Sequence, residues 1–132
     1  MKNLLIVEDD PFTVDFYLFI FKKAGFNPIV IEDGDRVIES LGTSEISLII
    51  MDINLKNTYL KGEKIDGIKL SNFIKTNTGY SKIPIMLVTA YSPSIKGENF
   101  YKESLAEDYI TKPIVDFNLL INKVNKLIAN RI

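Results

Sequence analysis

The chain contains neither cysteine nor histidine. Without cysteine there is no disulfide framework and no thiolate metal site, and a reducing cytoplasm is the expected setting. Without histidine there is no Ser-His-Asp or Cys-His catalysis and no imidazole-bound zinc. The chain also cannot donate a phosphoryl group from a phosphohistidine of its own. Any phosphate chemistry must rest on carboxylates, hydroxyls and lysines. A surplus of one charge is lacking too: 16 Lys and Arg stand against 17 Asp and Glu, a net charge of −1. There is therefore no electrostatic case for binding nucleic acid or an anionic membrane surface. No apolar run approaches the roughly 20 residues of a membrane span. The N-terminus lacks the ordered basic, apolar and small-residue regions of a signal peptide.

What is present suits one compact domain. The 132 residues are 46% hydrophobic, with eight Phe and six Tyr to fill a core. A single domain over residues 1–132 is expected, with no output domain following it. Short runs rich in Ile, Val and Leu recur: "LLIV" (4–7), "PIVI" (28–31), "SLIIMDI" (47–53), "IPIMLVT" (83–89) and "DYIT" (108–111). Continuous rather than alternating apolar character predicts parallel strands buried on both faces. Helix-length segments separate them, at 11–24, 34–42, 65–76, 94–106 and 114–130. Asp10 is placed to cap the first helix, with Pro11 at its first position and Gly25 at its end. The pattern is βα five times over, an α/β doubly wound sheet of five parallel strands.

In such a sheet, ligands bind beyond the carboxyl ends of the strands. The first strand ends in Glu8 and Asp9, the third at Asp52, the fourth at Thr89, and the fifth just before Lys112. One Asp at a strand end is ordinarily a helix cap, and one Lys before Pro is ordinarily a solvated side chain. Their ordered occurrence at four strand ends predicts a site. Clustered carboxylates ionise together cheaply only around a cation, and oxygen-only ligands select magnesium, manganese or calcium, magnesium fitting this sparse set best.

The words "LLIVEDDP", "LIIMDINL", "IDGIKL", "IMLVTA" and "EDYITKP" make the chain resemble, over essentially its whole length, the receiver domain of two-component response regulators. The resemblance implies the flavodoxin-like strand order 2-1-3-4-5, for which a receiver serves as a standard example. It implies that Asp52 accepts a phosphoryl group from a phosphohistidine on a histidine kinase or histidine phosphotransfer protein. It further implies Mg2+ held by Asp9, Asp52 and the Asn54 carbonyl, with Glu8 acting through water. Thr89 would hydrogen-bond the phosphoryl group, Lys112 would pair with it, and Tyr109 would be the switch aromatic coupled to Thr89. A cis Lys112–Pro113 peptide is expected as well.

Two features depart from the family pattern. The segment "NLKNTYLKGEK" (54–64) carries no Pro and is several residues longer than usual before Asp66-Gly67. It is either a functional loop or a tolerated, disordered insertion. The usual Gly before the fifth strand is replaced by Leu105 and Ala106. On the first helix, directing Phe16 and Ile20 to the sheet puts Val14, Leu18 and Phe21 on the opposite face, a stripe suited to a partner helix or a homodimer. In the last helix, Leu119, Leu120, Val124, Leu127 and Ile128 are the expected buried side, and Lys123, Lys126 and Arg131 the solvated one.

Two other functional classes fit the fold. A metal-dependent phosphatase with an Asp nucleophile commonly has a second acid two residues on, where this chain has Asn54. A non-phosphorylated interaction module would not need Asp9, Asp52, Thr89 and Lys112 together. The expected role is a signalling phosphoacceptor, not an enzyme, that binds an unidentified downstream protein according to its phosphorylation.

Overall fold

The computed structural model describes residues 1–90 and 99–130, with the side chain of residue 99 excepted. The chain runs β1 (Asn3–Val7), α1 (Pro11–Lys23), β2 (Asn27–Val30), α2 (Gly34–Thr43), β3 (Ile46–Asp52), β4 (Tyr59–Leu60), β5 (Glu63–Lys64), α3 (Gly67–Asn77), β6 (Ile85–Thr89), α4 (Asn99–Ser104), β7 (Asp108–Thr111) and α5 (Phe117–Ala129). Five parallel strands form one sheet in the order β2-β1-β3-β6-β7. Counting sheet strands alone, this is the expected 2-1-3-4-5. The first part of the fourth expected helix, residues 94–98, and Arg131 lie outside the described residues.

The apolar runs became strands because both of their faces are covered. In β1, Leu4 and Ile6 face one layer, and Leu5 and Val7 the other. The same alternation sets Leu48 and Ile50 against Ile49 and Met51 in β3, and Met86 and Val88 against Ile85 and Leu87 in β6. The first layer is closed by Tyr17 and Phe21 of α1 and Leu120 and Val124 of α5. The second is closed by Val37 and Leu41 of α2 and Leu70 and Ile74 of α3, with Tyr101 of α4 packed against it. Each such buried aliphatic side chain contributes about 1.5–3 kcal/mol.

The orientation of α1 differs from expectation. Phe21, assigned to the outer face, is completely buried, as is Tyr17, while Val14 and Leu18 are half-buried. The helix is turned by about one residue, roughly 100°, from the expected setting. Its residues are apolar nearly all round, so periodicity alone did not select a face. Packing under the sheet did: Tyr17 and Phe21 join Leu4, Ile6 and Leu48 in one cluster, and the Phe21 ring lies edge-on to Phe26 with centroids 6.3 Å apart. The apolar residues left in solvent are Phe12 (85% exposed) and Phe19 (64%). In α5, Leu119 is exposed rather than buried, because Leu120 and Val124 take the inward positions.

The long loop after β3 is ordered. Leu55 and Thr58 are buried, and β4 pairs antiparallel with β5 through Tyr59–Lys64 and Leu60–Glu63. Lys61 and Gly62 join the two strands with positive φ values of 51° and 83°, as a two-residue hairpin with an I′-like turn requires. Leu105 also has a positive φ, 59°, at the end of α4 where a Gly would be unstrained.

Candidate functional site

The strand register brings the expected residues to one corner of the sheet. Val7 pairs with Met51, Asp52 with Val88, and Thr89 with Thr111. Glu8 and Asp9 therefore emerge beside Asp52, and Lys112 leaves β7 beside Thr89. The Lys112–Pro113 peptide is cis. Asp10 caps α1, accepting from the Thr13 amide at 2.9 Å and its hydroxyl at 2.7 Å. The Thr13 side chain, then its amide, hold the Asp10 carboxyl below its usual pKa.

Glu8, Asp52 and Thr89 are buried, Glu8 at 2% exposure and Asp52 at 4%. Glu8 Oε2 accepts from the amides of Asp9 (3.0 Å) and Asp10 (3.3 Å). Its Oε1 has no hydrogen-bond partner, and Lys112 Nζ stands 3.7 Å away. Burial first, then the adjoining Asp52 carboxylate, push the Glu8 pKa up to about 7, with Lys112 opposing. Asp52 Oδ1 accepts from the Asn54 amide at 3.2 Å and from Lys112 Nζ at 3.3 Å. Asp9 Oδ2 accepts from the amides of Lys56 and Asn57, at 2.7 and 3.4 Å. Glu8, Asp9, Asp52, Asn54 and Lys112, with Lys56 and Asn57 of the loop, line a cleft of about 610 Å3. Thr89 lies beside Lys112, its carbonyl accepting from the Lys112 amide at 2.7 Å, and does not line the cleft.

The donor set fits a hard divalent cation. One carboxylate oxygen from each of Glu8, Asp9 and Asp52 lies within 4.8 Å of the other two. Ligands about 2.0–2.1 Å from a Mg2+ ion are at most about 4.2 Å apart, so a small side-chain adjustment, or a water beside Glu8, closes the difference. The buried Glu8 Oε1 points the same way: it accepts no hydrogen bond and has only the Lys112 ammonium at 3.7 Å.

Away from the cleft, the Tyr109 ring rests edge-on against Tyr101, with centroids 5.3 Å apart. Tyr109 pairs with Leu87, two residues before Thr89 on β6. Two features of the site escaped sequence reasoning. One is the pair of loop amides on Asp9, for which the extra loop length was the only signal. The other is a groove of about 580 Å3 beside the cleft, lined by Phe12, Phe16, Tyr17, Ala90, Pro113 and Ile114 among others.

Residues 4–125 match the response regulator receiver domain family. The chain belongs to that family. The receiver is 28% identical over 116 residues to the alkaline phosphatase synthesis transcriptional regulatory protein PhoP of Bacillus subtilis, a match covering 85% of this chain and 42% of that protein. It thus spans less than half the length of curated relatives that it matches. Among solved structures, it superposes with a TM-score of 0.82 and 26% identity on the receiver domain of a signal transduction histidine kinase from Syntrophus aciditrophicus, covering 98% of this chain and 91% of that one. A sensor histidine kinase receiver domain from Pseudomonas aeruginosa PAO1, solved with a magnesium ion in its active site cleft, shares the fold at a TM-score of 0.80 and 21% identity, covering 97% and 98% of the two chains. No helix among the described residues of the receiver is long and apolar enough to cross a membrane.

Proposed function

We propose that the receiver is a phosphoacceptor that takes a phosphoryl group onto Asp52 from a phosphohistidine of a histidine kinase or histidine phosphotransfer protein. The observation that carries this reading is the buried Asp52 carboxylate, 3.3 Å from Lys112 Nζ and clustered with Glu8 and Asp9. A carboxylate oxygen of Asp52 attacks phosphorus as the phosphorus–nitrogen bond breaks. The bonding electrons go to the imidazole nitrogen, and an acyl phosphate remains on the receiver. The transition state is loose, with charge spread over three equatorial oxygens. Lys112, 3.3 Å from Asp52, would neutralise part of that charge, and the Thr89 hydroxyl would donate a hydrogen bond to the phosphoryl group. Asp9, Asp52 and the Asn54 carbonyl would hold Mg2+, with Glu8 beside it, and the ion supplies further positive charge to those oxygens. The magnesium in the Pseudomonas aeruginosa cleft supports that choice of ion.

Signalling follows from Thr89 and Tyr109. Drawing the Thr89 hydroxyl toward the phosphoryl group changes the space available to the Tyr109 ring, which then shifts its packing against Tyr101. Partner docking falls to the outer apolar surface beside the cleft rather than to Val14, Leu18 and Phe21. That surface comprises Phe12, which lines the groove, and Phe117, whose ring contacts that of Phe16 with centroids 5.3 Å apart; both are exposed. It suits the helices of a phosphohistidine carrier. Asn54, in place of an acid, speaks against a phosphatase.

The test is incubation with acetyl phosphate and Mg2+, read by intact mass. One added phosphoryl group is expected, absent in Asp52→Asn and in the presence of a chelator. Full labelling of Asp52→Asn would overturn the assignment.

A further inference from the structure

We propose that the inserted segment after β3 is a clamp that presents Asp9 to the cation, and that its seat on α2 sets the receiver's affinity for Mg2+. This rests on the metal-site reading above and adds to it a role for the insertion.

The amides of Lys56 and Asn57 both donate to one oxygen of Asp9, Oδ2. Two donors on one oxygen fix the carboxylate plane and leave Oδ1 for the ion. A ligand held in place before binding loses less freedom when it binds. The amides are themselves held. Leu55 and Thr58, on either side of them, are buried, and the Thr58 hydroxyl donates to the Glu32 carbonyl at 2.6 Å. Beyond Thr58 the hairpin leans on the start of α2. The Lys61 amide donates to both oxygens of Asp35, at 3.0 and 3.2 Å. The Tyr59 carbonyl sits so close to Gly34 that a Cβ there would meet it at 2.6 Å. Lys61 Nζ stands over the Phe73 ring of α3, 5.4 Å from its centre. The insertion is therefore a braced arm running from α2 to a metal ligand. Shifting its seat shifts the amides that orient Asp9.

The experiment is a Mg2+ titration of the 15N-labelled receiver, without phosphodonor, followed through the amide resonances. In the wild type, Lys56 and Asn57 are expected to be among the residues that respond. Lys56→Pro deletes the first donor and is expected to raise the half-saturating Mg2+ concentration about tenfold, equivalent to about 1.4 kcal/mol. Lys56→Ala keeps the amide and is expected not to weaken binding, since it removes only a positive charge from the lining of the cleft. Asp35→Ala, at an exposed residue that does not line the cleft, is expected to weaken binding severalfold by loosening the seat. Unchanged or tighter binding in Lys56→Pro, or equal weakening in Lys56→Ala, would overturn the clamp. Should Lys56→Pro fail to fold by circular dichroism, Asp35→Ala decides: weaker binding upholds the clamp and wild-type binding overturns it. Asp9→Asn separates the two levels of the argument. If it binds Mg2+ normally, the metal-site reading fails; if only it loses binding, the site stands and the clamp alone is wrong.

Discussion

Lys112 Nζ reaches from the end of β7 across β6 to lie 3.3 Å from Asp52 Oδ1 at the end of β3. The same ammonium stands 3.7 Å from Glu8 Oε1. One cation thus serves two buried carboxylates from two strands, which is why the site depends on strand order and not on any local motif.

Lys112→Met removes that cation while keeping the side-chain volume. A charge-assisted hydrogen bond contributes about 1.5–3 kcal/mol, and Lys112 is 30% exposed, so the lower end of that range applies. Labelling of Asp52 by acetyl phosphate is expected to slow about tenfold, measured by intact mass over time.

Glu8 makes the stability of the metal-free receiver depend on pH. Its folded-state pKa is raised from 4.5 to about 7, by burial and then by Asp52. Below about pH 4.5 Glu8 is protonated in both folded and unfolded chains, and its stabilising contribution is intact. As pH rises through about 7 the folded protein must ionise a buried acid, and that contribution is lost. The loss is at most about 3 kcal/mol for this displacement. Urea denaturation in chelator at pH 5, 6, 7 and 8 is expected to show the fall. Glu8→Gln is expected to flatten it, and Mg2+ to restore stability at pH 8.

Gly67 opens α3 against the strand end that carries the nucleophile. A Cβ at this position would lie 2.0 Å from the Asp52 carbonyl oxygen and 2.8 Å from Ile53 Cα. Both are backbone atoms and cannot swing aside. Gly67→Ala is expected to destabilise the receiver by about 1–3 kcal/mol in urea denaturation, and to slow Asp52 labelling by displacing the end of β3.

Phe12 tests the docking surface. It is 85% exposed, so Phe12→Glu is expected to leave stability within about 0.5 kcal/mol. Labelling by acetyl phosphate is expected to persist, because a small donor needs no docking surface. Transfer from a phosphohistidine-bearing protein is expected to slow at least tenfold. Unchanged transfer together with loss of a dimer in sedimentation would assign the surface to self-association instead.

Much of this molecule was legible in its residues. Strands buried on both faces must be continuously apolar, so Leu4–Val7 and Ile85–Val88 announced themselves. One acid at a strand end is ordinarily a helix cap, but acids at the ends of two strands pointed to the cluster that Glu8, Asp9 and Asp52 form. Tertiary structure alone decided the rest. The face of α1 was undetermined because nearly every side of that helix is apolar; the packing of Tyr17 and Phe21 under the sheet chose it. Leu105 stands where the family usually has Gly, but a leucine side chain does not itself record the left-handed backbone that it adopts there. The hold of Lys56 and Asn57 on Asp9 was invisible for a simpler reason. It is made by backbone amides, which every residue but proline carries, so no side chain in the sequence records where they point.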